Sequence, residues 1–291
     1  MATQMLNTGS ADFASTSANS GTTSYLIPRT LLTEVISAVR KNLVLRGLAA
    51  RTFGPGAIPG RTLVIPMQSE FDGNSDMAVD RVAEGGEVLL TQSQFENLTL
   101  TPVKYGARVG VSKEMQEDGI LDLISYHAEL AGYEFADNEE SLIVSQLDAG
   151  TTASSHTVAN SNATLPISDI TAAMQQLESA NYNPTHMIVG VEIANDLRNI
   201  DLFVEQQMGG TGPAGKLIGT IFGMKVIVSN NVSAKLAYVI DAAHAFVIAE
   251  KRPLTVEKYA DYARDSEFVV ITQRIAASYL RAESMSEITT T

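Results

Sequence analysis

The 291-residue sequence contains no cysteine and no tryptophan. Without cysteine there is no disulfide framework, no thiolate zinc site and no thiol nucleophile, whatever the compartment. Positive charge is also scarce. Twenty Lys and Arg stand against 33 Asp and Glu, a formal net charge of −13. That balance opposes a nonspecific grip on a phosphate backbone, which depends on cations displacing counterions. No apolar run approaches the ~20 residues of a membrane helix; the longest candidate, LAYVIDAAHAFVIA at 236–249, contains Asp241 and His244. The N-terminus lacks the basic start, apolar core and small-residue cleavage site of a signal peptide. There is no GxSxG elbow, no HExxH and no pair of histidines at ligand spacing among His127, His156, His186 and His244. Catalysis has no visible seat, so we expect neither an enzyme nor a bound cofactor or metal.

Two motifs come close to chemistry and stop short. FDGNSDMAVDRVAEGGEV (71–88) opens with the alternating oxygens of a calcium loop at Asp72, Asn74 and Asp76. An EF-hand loop needs glycine at its sixth position and a bidentate glutamate at its twelfth. Met77 and Ala83 stand there instead. GGTGPAGKL (209–217) supplies GxGxxG at Gly210, Gly212 and Gly215, but it follows a helical pattern, contains Pro213 and leads into strand-like sequence. A dinucleotide fingerprint needs a strand before it and a helix directly after. As a Walker loop it has Leu217 where a hydroxyl should bind magnesium. The expectation is a flexible loop through Gly209, Gly210, Gly212 and Gly215, with a soluble phosphate-binding α/β enzyme as the lesser alternative.

Residues 1–23 are mostly Ser, Thr, Asn, Gly and Ala, with too few apolar anchors to offset the entropy of ordering them, so a flexible arm is expected. TLLTEVISAVRKNLVLRGLA (30–49) has helical spacing at Leu32, Val35, Ile36, Val39 and Leu43. RTLVIPM alternates at Leu63, Ile65 and Met67, and the chain alternates again through Leu98 and Leu100, then Val103 to Val111. The apolar phase switches at Pro102, which predicts a bulge or kink in one long strand. The 27 residues between Met67 and Phe95 far exceed a usual hairpin loop. A long two-stranded arm is expected, and such a ribbon is marginal alone in water, so it should lie on another subunit. After Ser112, a short helical turn stops at Gly119. Residues 120–148 then read as a long helix, and 150–166 as a polar loop or hairpin tip. From Ile167 the pattern alternates helix and strand, with strands at THMIVG, MKVIVS and LAYVID; the last fifty residues return to strand.

This order of parts, with TSYLIPRTLLTEVISAVRKNLVLRGLA opening the body and IGTIFGMKVIVSNNV followed by YVIDAAHAFVIAEKRPLTVEKY, resembles the major capsid proteins of tailed viruses, the Hong Kong 97 fold family. The resemblance implies an α+β capsid fold. Residues 1–23 would be an N-arm, 24–53 the start of the P-domain and 54–103 the E-loop. Residues 104–166 would continue the P-domain with a spine helix at 112–148, 167–240 would form an inserted α/β A-domain, and 241–291 the C-terminal P-domain strands. The acidic arm residues Glu70, Asp72, Asp76, Asp80, Glu84 and Glu87, with Arg81, would then contact a neighbouring subunit and fix register.

The implied function is structural. Pentamers and hexamers of the chain would close an icosahedral shell around double-stranded DNA, without sequence-specific binding and without a membrane. The implied partners are other copies of the chain, a separate scaffolding protein, a portal and, in some systems, a decoration protein. The location would be the virion capsid, and the host cytoplasm during assembly. Some relatives crosslink through an E-loop lysine, but no lysine lies between Lys41 and Lys104, so no such isopeptide bond is expected. An encapsulin-type nanocompartment is the nearest alternative. The absence of helical period in 1–23 argues against it, since encapsulins usually begin with an amphipathic cargo-binding helix.

Overall fold

Burial on one face or on both decides how each strand reads in the sequence. The computed structural model describes residues 44–68, 81–87, 95–118, 123–162, 164–199 and 217–290. All of these belong to one compact unit, residues 40–118 with 122–291. The expected arm at 1–23, most of the 30–49 helix, the outer E-loop at 70–80 and the 209–216 glycine loop lie outside the described residues.

A six-stranded sheet runs in the order β5 (Thr157–Asn160), β12 (Met285–Thr290), β9 (Leu236–Ile240), β6 (His186–Val189), β8 (Met224–Val228) and β7 (Leu217–Ile221). Its central strands are mostly apolar because both faces are largely covered; Lys225 of β8 is the exposed exception. Met187, Val189, Val226 and Val239 pack against Ile170, Ala173 and Leu177 of α3 (Ile167–Ser179) and Ile193 and Leu197 of α4 (Val191–Arg198). Ile188, Tyr238 and Ile240 face the other way, into a core with Leu45, Ile143, Leu147, Phe246 and Ile275.

A four-stranded sheet has the order β1 (Arg51–Phe53), β10 (Phe246–Asp261), β11 (Ser266–Tyr279) and β4 (Val103–Ser112). The short helix α1 (Lys113–Asp118) follows β4, and then comes the long helix α2 (Leu123–Ser154). At 1.5 Å per residue its 32 residues span about 48 Å. It buries a ridge of every fourth residue: Ala131, Phe135, Glu139, Ile143, Leu147 and Thr151. Phe135 and Ala131 meet Val111, Val269 and Ile271 of the four-stranded sheet.

Polar contacts tie the same helix to the six-stranded sheet and its loops. Asn231 donates to Asp137 Oδ1 at 2.8 Å, Tyr238 donates to Asp148, and Thr151 donates to Glu287 at 3.2 Å. Glu140 accepts the backbone N–H groups of Val44 and Leu45, the latter at 2.8 Å. Burial and the Asp148 hydrogen bond push the Tyr238 phenol well above its ordinary range.

Several expectations change. The described end of the 30–49 segment is a 3₁₀ turn, Leu45–Leu48, capped by the Glu140 carboxylate. Residues 150–166 are not a simple loop: α2 continues to Ser154 and β5 pairs in parallel with β12. Polar residues remain in that helix because Thr151 and Ser154 return their hydroxyls to carbonyls one turn back. Pro102 does not kink one strand. It separates β3 (Phe95–Leu100), which pairs with β2 (Leu63–Gln68), from β4, which pairs with β11. The six-stranded sheet also takes β5 and β12 from outside 167–240.

Candidate inter-subunit surface

The β2–β3 ribbon is the root of the expected arm. Leu63 stands opposite Leu100 and Ile65 opposite Leu98. These four residues pack with Ile58 onto Val247, Ala249, Ala276 and Leu280, on the face of the four-stranded sheet away from α2. The other face of the ribbon is uncovered: Val64 is 51% and Phe95 72% exposed. The chain is described again at 81–87, where a turn at Glu84 and Gly85, with Gly85 at φ 78°, closes with Gly86 N–H donating to Ala83 O at 2.9 Å. Arg81, Glu84 and Glu87 are exposed there, and none joins an ion pair among the described residues. Glu70, Asp72, Asp76 and Asp80 fall outside the described residues, as do Gly209, Gly210, Gly212 and Gly215.

Farther along, the register of β10 against β11 shifts between Glu250 and Arg252 and again before Thr255. Beyond the shifts the face opposite α2 is open. On β4 the odd positions turn to the helix, and the even positions Lys104, Gly106, Arg108 and Gly110 are exposed. Phe268 lies across Gly110, where a Cβ would stand 2.3 Å from its ring. Tyr259 stacks on Phe268 with centroids 5.2 Å apart. The Arg108 guanidinium sits 3.9 Å above the Phe268 ring. Thr272, which is buried, and Arg274, which is partly buried, continue the same face toward the arm root. At the hairpin tip Tyr262 is 85% exposed, and Lys113 pairs with Asp265 at 2.6 Å.

Exposed tyrosine and arginine around the half-buried Phe268 match the composition of energetically dominant interface residues. Sequence reading missed this patch. Its signal was the run of cation and glycine at alternate positions in KYGARVG, with aromatics on the polar hairpin LTVEKYADYARDSEF.

Several ionisable groups tie elements of the fold together. Arg46 bridges Glu139 at 2.9 Å and Glu250 at 2.6 Å. Burial pushes the Glu139 carboxyl above its usual range against the pull of Arg46. His244 is half-exposed and lies 2.8 Å from buried Asp241, so it does not sit within the buried run beside it. Burial and Lys225 lower the His186 imidazole. Among the described residues no group of three or more His, Asp or Glu could hold a metal ion. No described helix is long and apolar enough to cross a membrane.

Comparison with solved structures gives the class. The chain matches one from Mycobacterium phage Che8 with a TM-score of 0.71 at 15% identity, covering 93% of this chain and 98% of that one. It matches the capsid structure of cyanophage P-SCSP1u with a TM-score of 0.74 at 12% identity, covering 92% and 94%. It also matches the capsid of a native GTA particle with a TM-score of 0.69 at 13% identity, covering 95% and 99%. The architecture is the Hong Kong 97-like capsid fold. No curated protein matches. The model of the phage capsid protein family matches residues 96–282, about two thirds of the sequence, and the chain belongs to that family. It is a structural protein of the phage virion.

Proposed function

We propose that the chain is the major capsid protein of its phage, ringing into pentamers and hexamers that close an icosahedral shell around double-stranded DNA. The observation that carries this reading is a matched pair of incomplete surfaces. The arm leaves one face of its ribbon uncovered, and the outer half of the four-stranded sheet leaves an aromatic and cationic face uncovered. Each has the chemistry the other lacks: the arm sequence between 69 and 87 is acidic, whereas Lys104 and Arg108 line the exposed face of the sheet. An arm from one copy lying on the outer half of the next would cover both, and repetition of that heterologous contact closes rings.

In this reading residues 54–103 act as the E-loop, with Glu70, Asp72, Asp76, Asp80, Arg81, Glu84 and Glu87 in register-setting contacts. α2 is the spine helix, and the four-stranded sheet forms the P-domain. The six-stranded sheet forms the core of the A-domain, which faces the capsomer centre and whose sequence includes Gly209, Gly210, Gly212 and Gly215. The further partners are a separate scaffolding protein, a portal and, in some systems of this kind, a decoration protein, and assembly takes place in the host cytoplasm. With no lysine between Lys41 and Lys104, mature shells give single-subunit bands on denaturing gels. The test is electron microscopy of the purified protein with and without its scaffold. Closed angular shells or free pentamers and hexamers are expected; monomers at every concentration would refute the reading.

A further inference from the structure

The floor beneath the arm root is small and smooth. Ala249 and Ala276 face each other across β10 and β11, flanked by Val247 and Leu280, and the ribbon's leucines rest on them. Hydrophobic contact of this kind holds the ribbon down but carries no direction, so it leaves the ribbon free to pivot. Direction comes from the rim. Lys251 continues the alternation of Val247 and Ala249 onto the arm side, beside the first register shift, where a bulge re-aims side chains. Its ammonium donates to Gly60 O, just before β2. Arg281 donates to Gln68 O, at the far end of β2. Arg274 donates to Pro102 O at 3.3 Å, just after β3.

We propose that Lys251, Arg274 and Arg281 are positioning residues that set the angle at which the arm leaves its own subunit. All three grip main-chain carbonyls, so they fix the ribbon without using any arm side chain. Charge-assisted hydrogen bonds are directional and stronger than neutral ones. Gly60 and Pro102 bracket the root pair Leu63 and Leu100, while Gln68 lies five residues farther along β2. Grips at both ends of a strand oppose rotation, which a single grip at the root cannot do. A copy of the chain therefore presents its arm at one elevation before it meets a neighbour, and this preorganisation lowers the ordering cost of each contact in the shell. The consequence for assembly rests on the capsid reading above; the geometry of the grip does not.

The absence of cysteine makes the test direct. Spin labels at Glu96→Cys on β3 and Glu178→Cys at the end of α3 report the arm's position in unassembled subunits. The parent is expected to give one narrow distance distribution. Lys251→Ala with Arg281→Ala should lose that narrow peak, with the far-ultraviolet circular dichroism retained, and Lys251→Arg with Arg281→Lys should restore it. If the double variant does not fold, the two single alanine variants are read in the same way. A distribution as narrow in the alanine variants as in the parent overturns the proposal whatever the shells do. A parent chain that shows the narrow peak but forms no shell under any condition instead refutes the capsid reading and leaves the grip intact.

Discussion

Strands β6 and β2 obey the same alternation and end in opposite situations. Ile188 of β6 is fully buried between helix and sheet, and its neighbours Met187 and Val189 are equally buried on the opposite face. Val64 of β2 is half-exposed, and only its neighbours Leu63 and Ile65 find cover. The six-stranded sheet completes its core within one chain. The arm root and the outer four-stranded sheet do not, and in the proposed reading the surface left unburied by one copy is covered by the next.

The contrast predicts where substitutions damage the fold and where they damage assembly only. The largest effect belongs to the closed core. Ile188→Ala should cost about 4 kcal/mol of stability, whereas Val64→Ala should shift it by less than about 0.5 kcal/mol; urea unfolding of both variants measures the gap. Gly190→Ala comes next. A Cβ there would stand 2.1 Å from Ser233 O and 2.6 Å from Ala234 O. Both are backbone atoms, and Ala234 O accepts the Glu192 and Ile193 N–H groups that open α4. Relief must therefore move the 233–235 turn, at about 3 kcal/mol.

A smaller effect tests the buried carboxylate under α2. Because burial raises Glu139 above its free value of 4.5, the folded chain holds more protons than the unfolded one just above pH 4.5. Its contribution to stability is therefore present at low pH and lost as pH rises through the folded value. Glu139→Gln should remove that gain on acidification; identical stability profiles from pH 7 to 4.5 for parent and variant would contradict it. The smallest effect on the fold should come from Arg108→Ala with Tyr259→Ala. The unfolding midpoint should stay put while shell formation, followed by light scattering, is lost. If the double variant assembles like the parent, the outer face is not the seat of the neighbour's arm.

Much of the fold was legible because burial on both faces leaves an uninterrupted mark. MIV, VIV and LAYVI are apolar on successive residues, and each lies in a strand of the six-stranded sheet. The long helix was legible from its spacing, but its last turn was not, because Thr151 and Ser154 satisfy their hydroxyls within the helix and read as loop residues. At the candidate surface the ribbon at the root of the arm was legible from the alternation of residues 63–67 and 98–100. The patch of Arg108, Tyr259 and Phe268 was missed because Arg108 lies on a strand far in sequence from the hairpin that carries Tyr259 and Phe268, and they meet only through antiparallel pairing.

Composition and local period alone determined an acidic, cysteine-free protein of mixed helix and strand with a two-stranded ribbon, a long helix and an α/β segment, since strand and helix periods are local properties. Only the tertiary structure decided that Pro102 separates strands of two different sheets and that 157–160 and 285–290 join the six-stranded sheet. It also decided that three cations far from the arm in sequence hold its main chain. Those are pairings between distant segments, chosen by which faces can be buried together, and no local pattern encodes the partner.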